Sequence, residues 1–158
     1  MEQNITLERF YALQYLVDSI NQENDLKIQR IAAYVYAALS VIVITFQLAL
    51  ALGAPWGEYA MGGAYPGQMP PALRLAALVQ AALLFLLAAV ILSRAGVAFT
   101  GWKSLSRWLA WLAVVFSGTS LLLNLATPSA NERLLWAPVA FLMLVSSLVV
   151  ATRSNSVG

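Results

Sequence analysis

The sequence predicts an all-α fold, namely an integral membrane bundle of four transmembrane helices with an additional N-terminal amphipathic helix. Four apolar stretches contain no charged residue, and crossing a hydrocarbon core takes about 20 apolar residues. They are Ile31–Leu52, Leu75–Leu92, Trp108–Ala126 and Leu134–Ala151. The composition agrees, since 61% of residues are hydrophobic and 10% are charged, whereas about a quarter of a soluble domain is charged.

The first predicted element is a cytoplasmic amphipathic helix over residues 1–30. Its apolar residues follow at spacings of three and four, which is typical of one helical face; they are Leu7, Phe10, Leu13, Val17 and Ile20. The polar cluster Asn21–Asp25 predicts a break after this helix, with Asp25 capping the first span. Two environments suit the apolar face, the lipid surface or a protein partner. Because surface helices usually carry Lys or Arg on the polar face, and residues 1–30 hold five acids and three bases, we favour packing of this face against the rest of the protein or a partner subunit.

The transmembrane domain is expected over residues 31–151, with helices at 31–52, 72–92, 108–126 and 132–151 and a tail at 152–158. Pro70 and Pro71 lead into the second helix, where a missing N–H costs little. The sequence Ser129-Ala-Asn-Glu132 matches the capping-box pattern at the start of the fourth helix.

The positions of the basic residues predict the orientation of the chain. Positive charge marks the cytoplasmic side, and seven of the nine basic residues fall on one side: Arg9, Lys27, Arg30, Arg94, Lys103, Arg107 and Arg153. Arg74 and Arg133 fall on the other. We therefore expect both termini in the cytoplasm.

The residue inventory excludes several chemistries. The chain has no Cys and no His, which excludes thiol–disulfide exchange, ordinary haem ligation and most transition-metal sites. No run of Lys and Arg of the length expected for a nucleic-acid site is present. We therefore expect no metal, no cofactor and no nucleic-acid partner.

The most distinctive segment is residues 53–71, called here the 53–71 loop, which is predicted to face outward. It is longer than the 2–8 residues usual between bundle helices, and it is rich in glycine and proline. Trp56, Tyr59 and Tyr65 supply apolar surface that a disordered linker lacks. The loop is therefore predicted to be an ordered cap, either a lid over a ligand site or a structural plug that shields helix ends. Glu58 and Arg74 were candidates for an ion pair that pins the loop.

This loop resembles one found in a group of small four-span bacterial inner-membrane proteins of unassigned function. The shared pattern is Gly-Ala-Pro-x-Gly-Glu-Tyr-x-x-Gly-Gly followed by a Pro-Pro element and a basic residue. The matching positions are Gly53, Ala54, Pro55, Gly57, Glu58, Tyr59, Gly62, Gly63, Met69, Pro70, Pro71 and Arg74. A second shared element is the stretch from Asn124 to Arg133. The resemblance covers residues 31–151 and implies a bacterial inner-membrane location, with no implied activity.

Polar residues within the spans indicate where a site would lie. At 1.5 Å per residue, Gln47, Gln80 and Ser120 lie about 7–10 Å below the outer surface, beneath the loop. Such residues either hydrogen-bond neighbouring helices together or line a shared polar pocket. The candidate ligand-binding residues are Gln47, Trp56, Glu58, Tyr59, Arg74, Gln80, Ser120 and Asn124.

Three functions fit this inventory. The first is a binding or accessory protein whose outward pocket holds a lipid or a small lipophilic ligand. The second is a cofactor-free membrane enzyme of the isomerase or hydratase type, with Glu58 as its catalytic acid or base. The third is an oligomeric transporter or channel, which the lack of an ionisable residue inside the spans disfavours. Expected partners are membrane lipids and a second copy or partner subunit at the N-terminal helix.

Overall fold

The computed structural model describes residues 2–153, without the side chains of 2–6, 100 and 103–104. Four helices, α1 (Glu2–Ala51), α2 (Pro71–Arg94), α3 (Lys103–Ala126) and α4 (Ala130–Thr152), form the bundle. Short 3₁₀ turns lie at Gly57–Tyr59, Met61–Gly63 and Thr100–Trp102. All four helices are long and apolar enough to cross a membrane, which confirms the predicted fold class.

The prediction of a break at Asn21–Asp25 is wrong, because α1 runs without interruption through this cluster. No Gly or Pro occurs there, and Lys27 Nζ lies 2.7 Å from Glu23 Oε1 one turn away, a pairing that supports a helix. Asp25 does not cap a span; its Oδ1 lies 2.5 Å from Arg153 Nη1, just after α4. With 50 residues, α1 is about 75 Å long, so its N-terminal part extends well beyond a bilayer core.

The helices associate as two pairs, since α1 packs mainly on α2 and α3 packs mainly on α4. The end of the bundle where α2 and α4 finish is called here the terminus end. Near it, small side chains let the pairs approach closely; these residues are Ala33, Ala88, Ala110, Ala113 and Ser147, all buried. Tyr36, Leu84, Ile91 and Val150 complete this core.

Polar contacts from α1 and α2 to the last turn of α4 also close the terminus end. The buried Gln29 side chain donates to the carbonyls of Val150 (3.3 Å) and Arg153 (3.4 Å). Arg94 Nη2 donates to the Arg153 carbonyl at 2.8 Å. These bonds satisfy carbonyls that the end of a helix leaves without partners.

At the opposite end, called here the loop end, α2 separates from α3. Residues 87–91 near the end of α2 are all buried, whereas Leu75, Val79 and Gln80 nearer its start are exposed. The two pairs are therefore tightly packed at the terminus end and splayed at the loop end.

The contact between Gln29 and α4 gives a first prediction. Gln29→Ala removes a buried donor from two helix-end carbonyls, so we expect the free energy of unfolding to fall by about 2 kcal/mol. Unfolding in mixed micelles by titration with SDS measures the change. Gln14→Ala, at an exposed position of the same helix, is the control; equal losses in the two variants would contradict this role.

Candidate functional site

The splayed loop end contains a cavity of about 1070 Å³ lined by all four helices and the 53–71 loop. Its side walls on α2 and α3 include Leu75, Val79, Thr119 and Leu123, which are exposed. The cavity therefore opens sideways between these two helices. Its deeper walls are apolar, with Leu84, Phe116, Val139 and Met143 among the lining residues.

The 53–71 loop forms the roof of the cavity and has a defined conformation. The Gly57 N–H donates to the Gly67 carbonyl at 2.9 Å, which closes the loop on itself. Gly57 is buried, and a Cβ added there would lie 2.1 Å from the Tyr65 carbonyl oxygen. The prediction of an ordered loop therefore agrees with its internal contacts.

The middle of the loop is attached to the corner between α3 and α4 by the Glu132 carboxylate. Glu132 Oε2 accepts hydrogen bonds from the Gly62 N–H at 2.8 Å and from the Thr127 hydroxyl at 2.6 Å. Gly62 has a φ of +72°, and a Cβ there would lie 3.3 Å from Pro128. Glycine thus allows both the left-handed turn and the close approach to the corner. We call these contacts of Glu132 with Gly62 and Thr127 the Glu132 clasp.

The capping box predicted at Ser129 and Glu132 is half formed. Ser129 Oγ accepts from the Glu132 N–H at 3.2 Å, as an N-cap does. The Glu132 side chain, however, does not return to the Ser129 N–H, which lies instead 3.4 Å from Thr127 Oγ1. The Glu132 side chain instead contacts the loop. Ser129 Oγ forms a second contact with the loop by donating to the Glu58 carbonyl at 3.1 Å.

Aromatic side chains extend this attachment towards α1. Trp136 Nε1 donates to the Tyr59 carbonyl at 2.8 Å, and the Trp136 ring lies 4.6 Å from the Phe46 ring, centroid to centroid. Trp56 also stacks on Phe46, with ring centroids 6.2 Å apart. Phe46 of α1 therefore contacts an aromatic residue of α4 and one of the loop.

The proposed ion pair between Glu58 and Arg74 is not formed among the residues that the structure describes. Arg74 Nε donates to the Met69 carbonyl at 2.9 Å, and Nη2 donates to Gln68 Oε1 at 3.1 Å. Its guanidinium also covers Gly53, where a Cβ would lie 3.0 Å from Nη1. Arg74 thus joins the first and last residues of the loop. Glu58 is exposed and instead raises the pKa of Tyr59 through a hydrogen bond and its negative charge.

The structure brings together five of the eight residues predicted to bind a ligand. Gln47, Tyr59, Gln80, Ser120 and Asn124 line the cavity, whereas Trp56, Glu58 and Arg74 are not among its lining residues. Gln80 lines the cavity at its mouth, where its side chain is exposed. Asn124 Nδ2 donates within α3 to the Ser120 carbonyl at 2.8 Å.

Two buried polar side chains belong to the lining, Gln47 and Ser117. Gln47 is 9% exposed, and its amide forms no hydrogen bond with a described residue. Ser117 is 2% exposed, and its hydroxyl lies beside the hydroxyl of the buried Tyr36, with which it interacts. Buried polar atoms are normally satisfied because leaving them unpaired costs about 1–3 kcal/mol.

Sequence reasoning missed Thr127, Glu132 and Trp136, which also line the cavity. Glu132 was assigned wholly to helix capping. The available signal was the coincidence of a carboxylate, a Thr-Pro-Ser corner and a glycine-rich loop at the same end of the bundle.

Chemically, the site combines apolar walls with a few polar groups near its roof. Among the described side chains of the lining, Glu132 is the one carboxylate, and none is Lys or Arg. No cluster of three Asp or Glu side chains that would hold a metal occurs in the part of the chain that the structure describes. Comparisons with protein-family models, curated proteins and solved structures give no match for this chain.

The closeness of Gly57 to Tyr65 gives a second prediction. In Gly57→Ala the new methyl group must displace loop backbone, so we expect a loss of about 3 kcal/mol in the free energy of unfolding and faster proteolysis within residues 53–71. SDS titration and limited proteolysis measure these effects. The control is Gly101→Ala, where a Cβ meets nothing within 4 Å; a wild-type cleavage pattern in Gly57→Ala would contradict the roof described here.

Proposed function

We propose that this chain is a multi-pass protein of a bacterial inner membrane, with both termini in the cytoplasm, that binds a lipid or a small lipophilic ligand. The bias of Lys and Arg towards the terminus end supports this orientation. The ligand would occupy the cavity beneath the 53–71 loop, in a binding or accessory role.

The observation that carries the proposal is a large, mostly apolar cavity with a few polar side chains towards its roof, including Gln47. Ligand sites are mostly apolar with a small number of placed polar groups, and they usually measure about 300–1,000 Å³. The cavity of about 1070 Å³ suits a molecule with an alkyl chain. The amide of Gln47 would supply a hydrogen bond to its polar part.

The sideways opening supports a ligand that arrives from the membrane. Its rim is formed by exposed apolar residues of α2 and α3, including Leu75, Val79 and Leu123. An amphiphile in the bilayer would pass between these helices without crossing the roof.

The enzymatic alternative with Glu58 as acid or base has little geometric support. Glu58 is exposed and is not a lining residue, whereas a catalytic base must lie within about 3 Å of the proton that it abstracts. The binding role needs no such group.

We further propose that a second copy of the chain covers the apolar stripe of α1. Because α1 continues without a break through residues 21–30, its N-terminal part would extend away from the bilayer rather than lie on the lipid surface. Phe10, Leu13, Val17 and Ile20 recur at alternating spacings of three and four and are 55–62% exposed. This is the repeat of a parallel coiled coil, and Asn24 continues it as the polar residue that fixes register.

The binding proposal predicts that the protein retains an amphiphile through purification in mild detergent. Native mass spectrometry should detect it on the wild type, and Gln47→Leu should weaken its affinity about fivefold and so lower its occupancy, since one hydrogen bond contributes about 1 kcal/mol. Gln14→Leu, the same change at an exposed site of α1, should leave occupancy unchanged. A wild-type protein without any specifically bound amphiphile would count against the proposal.

The dimer proposal predicts a register-specific crosslink. The chain has no Cys, so a single introduced thiol reports on contact between copies. Val17→Cys should form a disulfide-linked dimer in membranes, whereas Ser19→Cys, on a neighbouring face of the helix, should not. Equal crosslinking of the two variants would indicate random collision rather than a coiled coil.

A further inference from the structure

The charges around the cavity indicate which amphiphile it accepts. Its one described carboxylate belongs to Glu132, and no Lys or Arg side chain lines it. The nearby Arg74 is engaged with Met69 and Gln68 on the loop, and Arg133 Nη2 donates to the Thr127 carbonyl at 2.9 Å. Neither cation is a lining residue, so Glu132 carries the one charge among the described lining residues.

Glu132 also has acceptor capacity beyond the clasp. Its Oε2 accepts from Gly62 and Thr127, whereas Oε1 accepts no hydrogen bond from a described residue. A carboxylate has about four lone-pair sites and no donor. A ligand group that donates hydrogen bonds therefore finds an acceptor here without displacing the roof.

The other polar groups of the lining are compatible with a head group that donates hydrogen bonds. The amides of Gln47 and Gln80 and the Ser117 hydroxyl are able both to donate and to accept, so they suit a neutral or a donating head group. An anionic head group would lie close to Glu132 in a region of low dielectric, where like charges repel strongly. Among the described lining residues it would meet no cation.

We propose that the cavity selects single-chain amphiphiles whose head group donates hydrogen bonds and carries no negative charge, with a primary amine fitting best. This inference rests on the proposed ligand-binding function. The amine would bind Glu132 Oε1, and the alkyl chain would lie between Phe116, Val139 and Met143, deeper in the cavity.

Fluorescence of Trp136, which lines the cavity, provides the test. The protein in phosphatidylcholine nanodiscs is titrated with three dibrominated octadecyl probes that share one chain: the amine, the alcohol and the sulfate. Bromine quenches tryptophan on contact, and subtracting the signal of a Trp136→Phe variant isolates quenching within the cavity. We expect saturable quenching by the amine and the alcohol and none by the sulfate.

Matched carboxylate variants identify the side chain that distinguishes between charged and neutral head groups. Glu132→Gln keeps an oxygen that accepts from Gly62 and Thr127, and we expect it to weaken amine binding about tenfold, because bonds to charged groups exceed neutral ones by that order. Alcohol binding should change less than about threefold. Glu58→Gln removes the same charge outside the cavity and should change neither.

A variant that gains binding of the sulfate probe tests the proposal independently of whether Glu132→Gln folds. Gln80 is exposed at the mouth, so Gln80→Lys adds a cation without disturbing the core, and we expect it to admit the sulfate probe. Wild-type binding of the sulfate as tight as that of the amine would overturn the charge preference and leave the binding function intact. If Glu132→Gln and Glu58→Gln weakened binding of the amine equally, the role of Glu132 would be overturned. If none of the three probes quenched Trp136, both the charge preference and the proposed binding function would be overturned.

Discussion

The arrangement of the loop end depends on the Glu132 clasp. The 53–71 loop begins at the end of α1 and leads into α2, yet its middle is held by Thr127, Ser129 and Glu132 at the corner between α3 and α4. It therefore connects the two helix pairs across the gap between them. Near a hydrocarbon region an unsatisfied backbone N–H is costly, and a carboxylate is a strong acceptor for it. The Glu132 side chain thus holds the middle of the roof, and Ser129 and Trp136 bind the neighbouring residues Glu58 and Tyr59.

The cavity exists because the two ends of the bundle are closed by different means. At the terminus end, small residues such as Ala110 and Ala113 allow close contact, and Gln29 and Arg94 bind the end of α4. At the loop end, bulky side chains such as Phe46 and Trp136 hold the helices apart. Close packing at one end and a spanning loop at the other leave a space between them that neither contact fills.

Much of the fold was predictable from the sequence, and much of the site was not. The four spans follow from hydropathy, which is a local property. The similar depth of Gln47, Gln80 and Ser120 follows from their positions within those spans. The continuity of α1 was missed because Gln22, Glu23 and Asp25 were treated as breakers, although polar residues without Gly or Pro permit a helix. The partner of Glu132 lies 70 residues away at Gly62, and no local pattern specifies such a contact. The predicted partner of Arg74, Glu58, is also wrong. The side chain binds the Met69 carbonyl and the Gln68 amide oxygen instead, and charge complementarity in the sequence does not indicate these uncharged acceptors.

The distribution of polar groups along the bundle axis constrains the orientation of any molecule in the cavity. Glu132, Thr127 and Gln47 lie towards the roof, whereas Leu84, Phe116 and Met143 line the space nearer the terminus end. An alkyl chain placed against the polar groups would leave them unpaired, and a head group placed deep would lose its hydration without compensation. Both costs favour the orientation in which the head group meets the polar side chains and the alkyl chain meets the apolar ones. The head group of a bound amphiphile would therefore point towards the roof, where we propose that the charge of Glu132 discriminates between head groups.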